Sequence, residues 1–182
     1  ATGRKFLRGP RGTGFLVASD RAITELEPFP LDLHSAVWQS DGYEVASGAT
    51  RFESWEKSYA ALLGLGAAVD YALDCGIDAL AARIQQLAGY ARSSLAGVPG
   101  ITVLDRGAHP SGIVTITHSG IPAPELAARI KSAGVNVSLS TPDYSRIDFD
   151  GHSVEGLVRI SPHAYNTHDE IDTLATIVGS LT

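Results

Sequence analysis

Thr2-Gly3-Arg4-Lys5-Phe6-Leu7-Arg8-Gly9-Pro10-Arg11-Gly12-Thr13-Gly14-Phe15 opens the chain and crowds its basic residues together. Gly9, Gly12 and Gly14 mark the segment as a loop, because glycine adopts backbone conformations that other residues avoid. Behind it, Phe15-Leu16-Val17-Ala18 reads as a short buried strand. Lysine attacks a carbonyl only as the neutral amine, and nearby cations favour that form. Arg4 and Arg8 stand close to Lys5 in sequence, so a Schiff-base role is open to it. On spacing alone, a solvated basic arm or a weak anion-binding glycine loop remains the preferred reading. No Lys-Ser/Thr pair follows the glycines, which sets the segment apart from a Walker A loop.

The chain as a whole has 182 residues, of which 44% are hydrophobic and 19% charged, enough to build a compact domain and unlike a disordered tail. No apolar run reaches the roughly 18 residues of a membrane span, and no secretory signal pattern is visible. A net charge of −6 disfavours a general nucleic-acid role. The single cysteine, Cys75, allows neither an internal disulfide nor a CxxC metal site, and a reducing, cytoplasmic setting is expected. Methionine is absent, and the chain starts with Ala1 directly ahead of the basic loop. A fragment or a processed chain is the expectation.

Residues 20–53 read as irregular. Trp55, Tyr59, Leu62, Leu63, Val69 and Leu73 recur at helical spacing and predict a long helix over 54–75, closed by Gly76, with Trp55 and Tyr59 in the core. Gly64 and Gly66 inside it suggest close approach of another backbone. Asp78 is the expected N-cap of a second helix, whose apolar face is Leu80, Ile84, Leu87 and Leu95. Short strands are expected at 101–104, 112–118, 135–140 and 157–160. A helix over 124–133 begins with Pro124 and stops at Gly134. Thr167 and Glu170 spell a capping box for a last helix through Ile171, Leu174, Val178 and Leu181.

Arg159 sits among apolar residues in Leu157-Val158-Arg159-Ile160. Burying an arginine is costly unless it is paired. Its planar fork fits a carboxylate with two parallel hydrogen bonds. Taken by itself, an internal salt bridge is the expected arrangement, and a ligand carboxylate is the alternative. The six histidines (34, 109, 118, 152, 163 and 168) show no zinc-motif spacing and read as surface or structural residues. Cys75 reads as a packed or idle thiol.

Three segments taken together are more specific than any one. The Lys5 segment resembles the cofactor-lysine segment of class V aminotransferase-like proteins, a fold-type-I family dependent on pyridoxal phosphate. Arg51-Phe52-Glu53 looks like the family's R-F-E motif. Arg159-Ile160-Ser161-Pro162-His163-Ala164-Tyr165-Asn166-Thr167-His168-Asp169-Glu170-Ile171-Asp172 looks like its C-terminal R-x-S-x-x-x-Y-N-T-x-x-E-I-D motif. The order and approximate spacing also match, and the resemblance spans essentially all 182 residues.

The resemblance implies an α/β fold: the C-terminal part of a fold-type-I pyridoxal-phosphate-dependent transferase. Residues 1–53 would be a remnant of the large cofactor-binding domain, 54–76 a linking helix and 77–182 an α+β small domain. Lys5 would form the internal aldimine and shuttle the substrate Cα proton. Arg4, Gly12 and Thr13 would support the cofactor, and Arg159 would bind the substrate carboxylate. The family's cofactor-stacking group and the aspartate on the pyridine nitrogen lie upstream of the lysine. This chain alone is therefore expected to be inactive, and a homodimer is expected for the full-length form.

Two departures narrow the branch. Many relatives continue R-F-E-x-G-T, with the threonine reaching a cofactor phosphate. Here the continuation is Ser54-Trp55-Glu56, so the resemblance carries no phosphate contact to this segment. Cysteine desulfurases of the family carry a catalytic cysteine before the arginine strand, whereas Ser140 to Glu155 contains none. The nearest likeness is to the carbon–sulfur lyase branch, such as hercynylcysteine sulfoxide lyase, or to isopenicillin epimerase. The implied reaction is β-elimination on an amino acid, with sulfur-containing amino acids among the candidate substrates. An aminotransferase or epimerase is the alternative, and an inert truncated binding module is the reading from another class.

Overall fold

The computed structural model describes residues 1–152 and 154–181, with the side chain of His152 outside that description. The chain divides into two compact units, Ala1–Gly76 and Ile77–Thr182. No single helix among the described residues is long and apolar enough to cross a membrane.

The first unit begins with a loop that closes on itself. Thr2 and Gly14 form an antiparallel bridge. Gly3 N donates to Thr13 O at 2.9 Å, and Gly9 N donates to Gly3 O at 2.9 Å. Helix α1, Asp20–Glu25, follows, with Ser19 accepting from Ala22 N as its N-cap. Strands β1, Ala36–Gln39, and β2, Gly42–Val45, pair as an antiparallel hairpin, and a 3-10 turn covers Ala49–Phe52. Helix α2, Tyr59–Cys75, completes the unit.

Several expectations for this unit need correction. Residues 20–53 hold a helix and a hairpin rather than irregular chain; their alternating pattern is too short to register. Phe15–Ala18 forms no strand, and Leu16 and Val17 are 69% and 85% exposed. A strand needs a hydrogen-bonding neighbour along its length; Phe15 exchanges hydrogen bonds with Ala1, but among the described residues no ladder continues along 16–18. Helix α2 begins at Tyr59 because the Ser58 hydroxyl accepts from Ala61 N there, so Trp55 falls outside it. Trp55 and Tyr59 are exposed rather than core, and Leu65 and Ala72 are the buried residues of α2. Cys75 is exposed as a free thiol. Of the two helix glycines, a Cβ on Gly64 would meet Pro10 Cγ at 2.8 Å, whereas one on Gly66 would meet nothing within 4 Å.

The second unit layers helices on one face of a sheet. Its elements are α3 (Ile77–Ala96), β3 (Ile101–Val103), β4 (Val114–His118), α4 (Ala123–Ser132), β5 (Ser138–Ser140), α5 (Arg146–His152), β6 (Leu157–Ile160) and α6 (His168–Gly179). Sheet order is β3-β4-β6-β5, with every pairing antiparallel. Alternation sends Val114, Ile116, Val158 and Ile160 to one face. There they pack with Leu87, Ala91 and Leu95 of α3, Leu126 and Ile130 of α4, and Leu174 and Val178 of α6. Burying a side chain of this kind contributes about 1.5–3 kcal/mol, so this cluster dominates the unit's stability.

Local signals end the helices where expected. Thr167 accepts from Glu170 N while Glu170 accepts from Thr167 N, which makes the capping box reciprocal. Gly134 takes φ +91 after α4. Asp78, by contrast, lies inside the first turn of α3 rather than at its cap, because the helix begins immediately after Gly76, whose φ is +84. An acid there still complements the helix dipole. Helix α5 was not anticipated; it is short, and Phe149 is its buried anchor.

Candidate functional site

In the first unit the site is the closed loop that carries Lys5. Its shape follows from tight contacts at glycines. A Cβ on Gly3 would come within 2.5 Å of Thr13 Oγ1 and 2.7 Å of Leu65 Cδ1, and one on Gly14 within 2.4 Å of Ala1 O. Thr13 is buried, and its hydroxyl donates to Pro10 O at 2.7 Å, so it braces the loop from inside. Gly12 is exposed at φ +77, a turn position suited to glycine. Arg4 and Lys5 are exposed, and neither has an acidic partner among the described residues. Arg8 also has a left-handed φ of 57°, and its guanidinium lies 5.1 Å from the Tyr71 ring centroid. The loop thus presents a primary amine with cations around it on a braced backbone.

The R-F-E segment holds the unit together. Arg51 Nη1 donates to Ile23 O at 2.6 Å, fastening the turn to α1. Glu53 takes Lys57 as an ion-pair partner and lies 3.2 Å from His34 Nε2. The hydrogen bond from Lys57 is the main cause holding the Glu53 carboxyl below its ordinary value. A groove of about 610 Å³ runs between this segment and the loop, lined by Gly12, Thr13, Phe52, Glu53 and Lys57 among others.

In the second unit Arg159 stands on the sheet face opposite the core. Its cross-strand partners are Thr115 on β4 and Ser138 on β5, giving a polar row across the sheet. It lines a cavity of about 420 Å³ with Arg92, Asp105, Tyr144, Asp148 and Phe149 among its walls. The expected internal salt bridge is absent. Among the described residues no carboxylate pairs with Arg159, and its buried Nε has no hydrogen-bond partner. The reason is that Asp105, an acid in the same cavity, is taken by Arg92. An unpartnered buried guanidinium nitrogen in a cavity is suited to a ligand carboxylate.

Sequence reasoning singled out Lys5 and Arg159 but missed Arg92, Asp105, Tyr144 and Asp148. Asp105 had a readable signal, since it is an acid directly after a predicted strand. Arg92 had none, because an arginine on a helix is ordinarily solvated.

The family model for class V aminotransferases matches residues 1–174. The chain belongs to the class V aminotransferase family. Among curated relatives of this family member is a cysteine desulfurase of Salmonella agona, 29% identical over 171 residues, covering 92% of this chain and 41% of the relative. The class V chain therefore spans about two fifths of that relative's length. The cysteine desulfurase CsdA of Escherichia coli matches in fold with a TM-score of 0.83 at 23% identity, covering 98% of this chain and 44% of CsdA. C-DES, described as a cystine C–S lyase in complex with cysteine persulfide, matches with a TM-score of 0.76 at 21% identity, over 98% of this chain and 45% of its own. In another C-DES structure, of a lysine-to-alanine variant, glycine is covalently linked to the pyridoxal phosphate cofactor. The α/β fold is that of the C-terminal part of fold-type-I pyridoxal-phosphate enzymes.

Proposed function

We propose that this chain is the part of a pyridoxal-phosphate enzyme that supplies the cofactor lysine and the carboxylate-binding arginine for carbon–sulfur bond cleavage in an amino acid. The observation that carries the reading is Arg159, buried at Nε without a partner in a cavity where Asp105 is already paired with Arg92. The residues present also fit the cofactor: Lys5 offers an exposed primary amine for an aldehyde, and Arg4, Arg8 and Arg11 place positive charge nearby for a phosphate. Bound pyridoxal phosphate supplies an electron sink for charge developing at the substrate Cα.

Each residue then has a task. Lys5 Nζ would hold the cofactor aldehyde, then take the Cα proton and pass it to the departing sulfur. Gly12 and Thr13 keep the loop, and with it Lys5, in place, and Arg4 adds charge on the anionic side. Arg159 grips the substrate carboxylate through its fork and so fixes the orientation of the bonds at Cα. Elimination breaks the Cβ–S bond, and the sulfur leaves with the bonding pair and picks up a proton. No cysteine stands between Ser140 and Glu155 to receive the sulfur, which favours a lyase over desulfuration through a protein persulfide. We propose a sulfur-containing amino acid as substrate and a cytoplasmic homodimer as the working form.

The test uses the complete protein with pyridoxal phosphate. Borohydride reduction followed by peptide mapping is expected to place the label on Lys5 rather than on Lys57 or Lys131. A label that persists in Lys5→Ala refutes the assignment. Arg159→Lys is expected to raise KM about tenfold, because an ammonium replaces a bidentate fork. An unchanged KM and kcat would remove Arg159 from the site.

A further inference from the structure

Arg92 reaches from α3 to the segment that follows β3. Its Nε donates to Asp105 Oδ2 at 2.6 Å, and its Nη2 donates to Ser111 O at 2.6 Å and Ile113 O at 2.8 Å. The Arg92 and Asp105 side chains are only 18% and 11% exposed. Asp105 Oδ1 accepts from Thr115 N at 2.9 Å and from Thr115 Oγ1 at 2.6 Å. Thr115 is the cross-strand partner of Arg159, so the two side chains leave the same face of the sheet. Asp105 is thus tethered beside Arg159 by one oxygen and held off it by what occupies the other.

We propose that Arg92 is a positioning residue for carboxylate recognition: by engaging Asp105 it leaves Arg159 open to a ligand. The inference rests on the reading of Arg159 as the carboxylate binder. A partly buried carboxylate that loses its cation seeks another, because an unpaired buried charge is costly. Two further arginines line the cavity. Arg106 donates through Nη2 to Gly151 O, at the α5 wall. Arg159 offers a buried, unpartnered Nε. Without Arg92, Asp105 therefore turns to Arg159 and competes with the ligand from inside the protein.

The experiment uses the 182-residue chain with 15N-labelled arginine and propionate as the probe. The Nε–H signal of Arg159 is identified by its loss in Arg159→Lys and followed during titration. Arg92→Gln is expected to shift that signal before any ligand is added and to weaken propionate binding about tenfold. Adding Asp105→Asn to Arg92→Gln is expected to restore the parent affinity, because the competitor has lost its charge. An unchanged affinity in Arg92→Gln overturns the proposal. A loss that the double variant fails to recover does so as well, since Arg92 would then only brace Ser111 and Ile113. If Arg92→Gln does not fold, the double variant decides alone: parent affinity supports the positioning role and a tenfold loss overturns it. Failure of the underlying reading looks different, because propionate would then leave the Arg159 signal of the parent chain unmoved.

Discussion

Two alanine substitutions on one helix are expected to act with opposite sign. Gly66 lies in the interior of α2, is exposed, and has no atom within 4 Å of an added Cβ. Alanine there gains helix propensity without meeting a neighbour, about 0.8–1 kcal/mol in favour of folding. Gly64 gains the same propensity, but its Cβ would stand 2.8 Å from Pro10 Cγ, where ordinary contact starts at 3.4 Å. Pro10 must move by the difference, 0.6 Å, and it belongs to a ring inside a hydrogen-bonded loop that has little freedom. Overpacking of this kind costs roughly 1–3 kcal/mol. Gly64→Ala is therefore expected to fall about 1–3 kcal/mol below Gly66→Ala in stability. Amide hydrogen exchange around Leu65 reads the effect locally. Protection should rise about fivefold in Gly66→Ala and should stay level or fall in Gly64→Ala. Equal stabilisation by both would refute the claim that the Lys5 loop packs on α2 through Pro10.

Other outcomes follow from the second unit. Leu87→Ala empties a fully buried position in the core and should cost about 2–5 kcal/mol, read from urea unfolding. Hydrogen bonds from Asn166 Nδ2 and then Thr167 N hold the Glu170 carboxyl below its ordinary value of 4.5. A depressed carboxylate contributes stability that is present above the unfolded value and is lost as pH falls through the folded one. The start of α6 should therefore hold at neutral pH and loosen below about pH 4.5. The Thr167 amide resonance followed from pH 7 to 3 checks this, and Glu170→Gln should flatten the profile.

The strand that carries Arg159 was legible to the residue, since Leu157–Ile160 is a short apolar run broken by one charge. The capping box was equally legible, because it depends only on residues three apart. Expectations failed where long-range surroundings decide. Phe15-Leu16-Val17 has the composition of a buried strand, but a strand is a relation between two segments, and sequence shows only one. Trp55 and Tyr59 fit a helical period, yet the hydroxyl of Ser58 sets the start of α2. At the site, Arg159 could be named from its residue type, but its freedom from a salt bridge depends on a competition won by Arg92. That competition joins α3 to the segment after β3, and no local pattern records it.

The alternation of β6 has a consequence for how such a protein can change. Val158 and Ile160 point into the core, and Arg159 points the other way. Adding or removing one residue ahead of Arg159 would exchange the two sets, sending the guanidinium into the core and the aliphatic chains outward. The placement of Arg159 in the cavity and the packing of the core are therefore inherited as one unit along this strand. Changes of length must instead be accommodated at 104–113 and 141–156, the stretches that join the strands. Those same stretches provide Asp105, Tyr144 and Asp148 to the cavity wall. In the proposed role, Arg159 as carboxylate anchor is thus fixed by register, whereas the cavity wall built from those stretches is free to diversify.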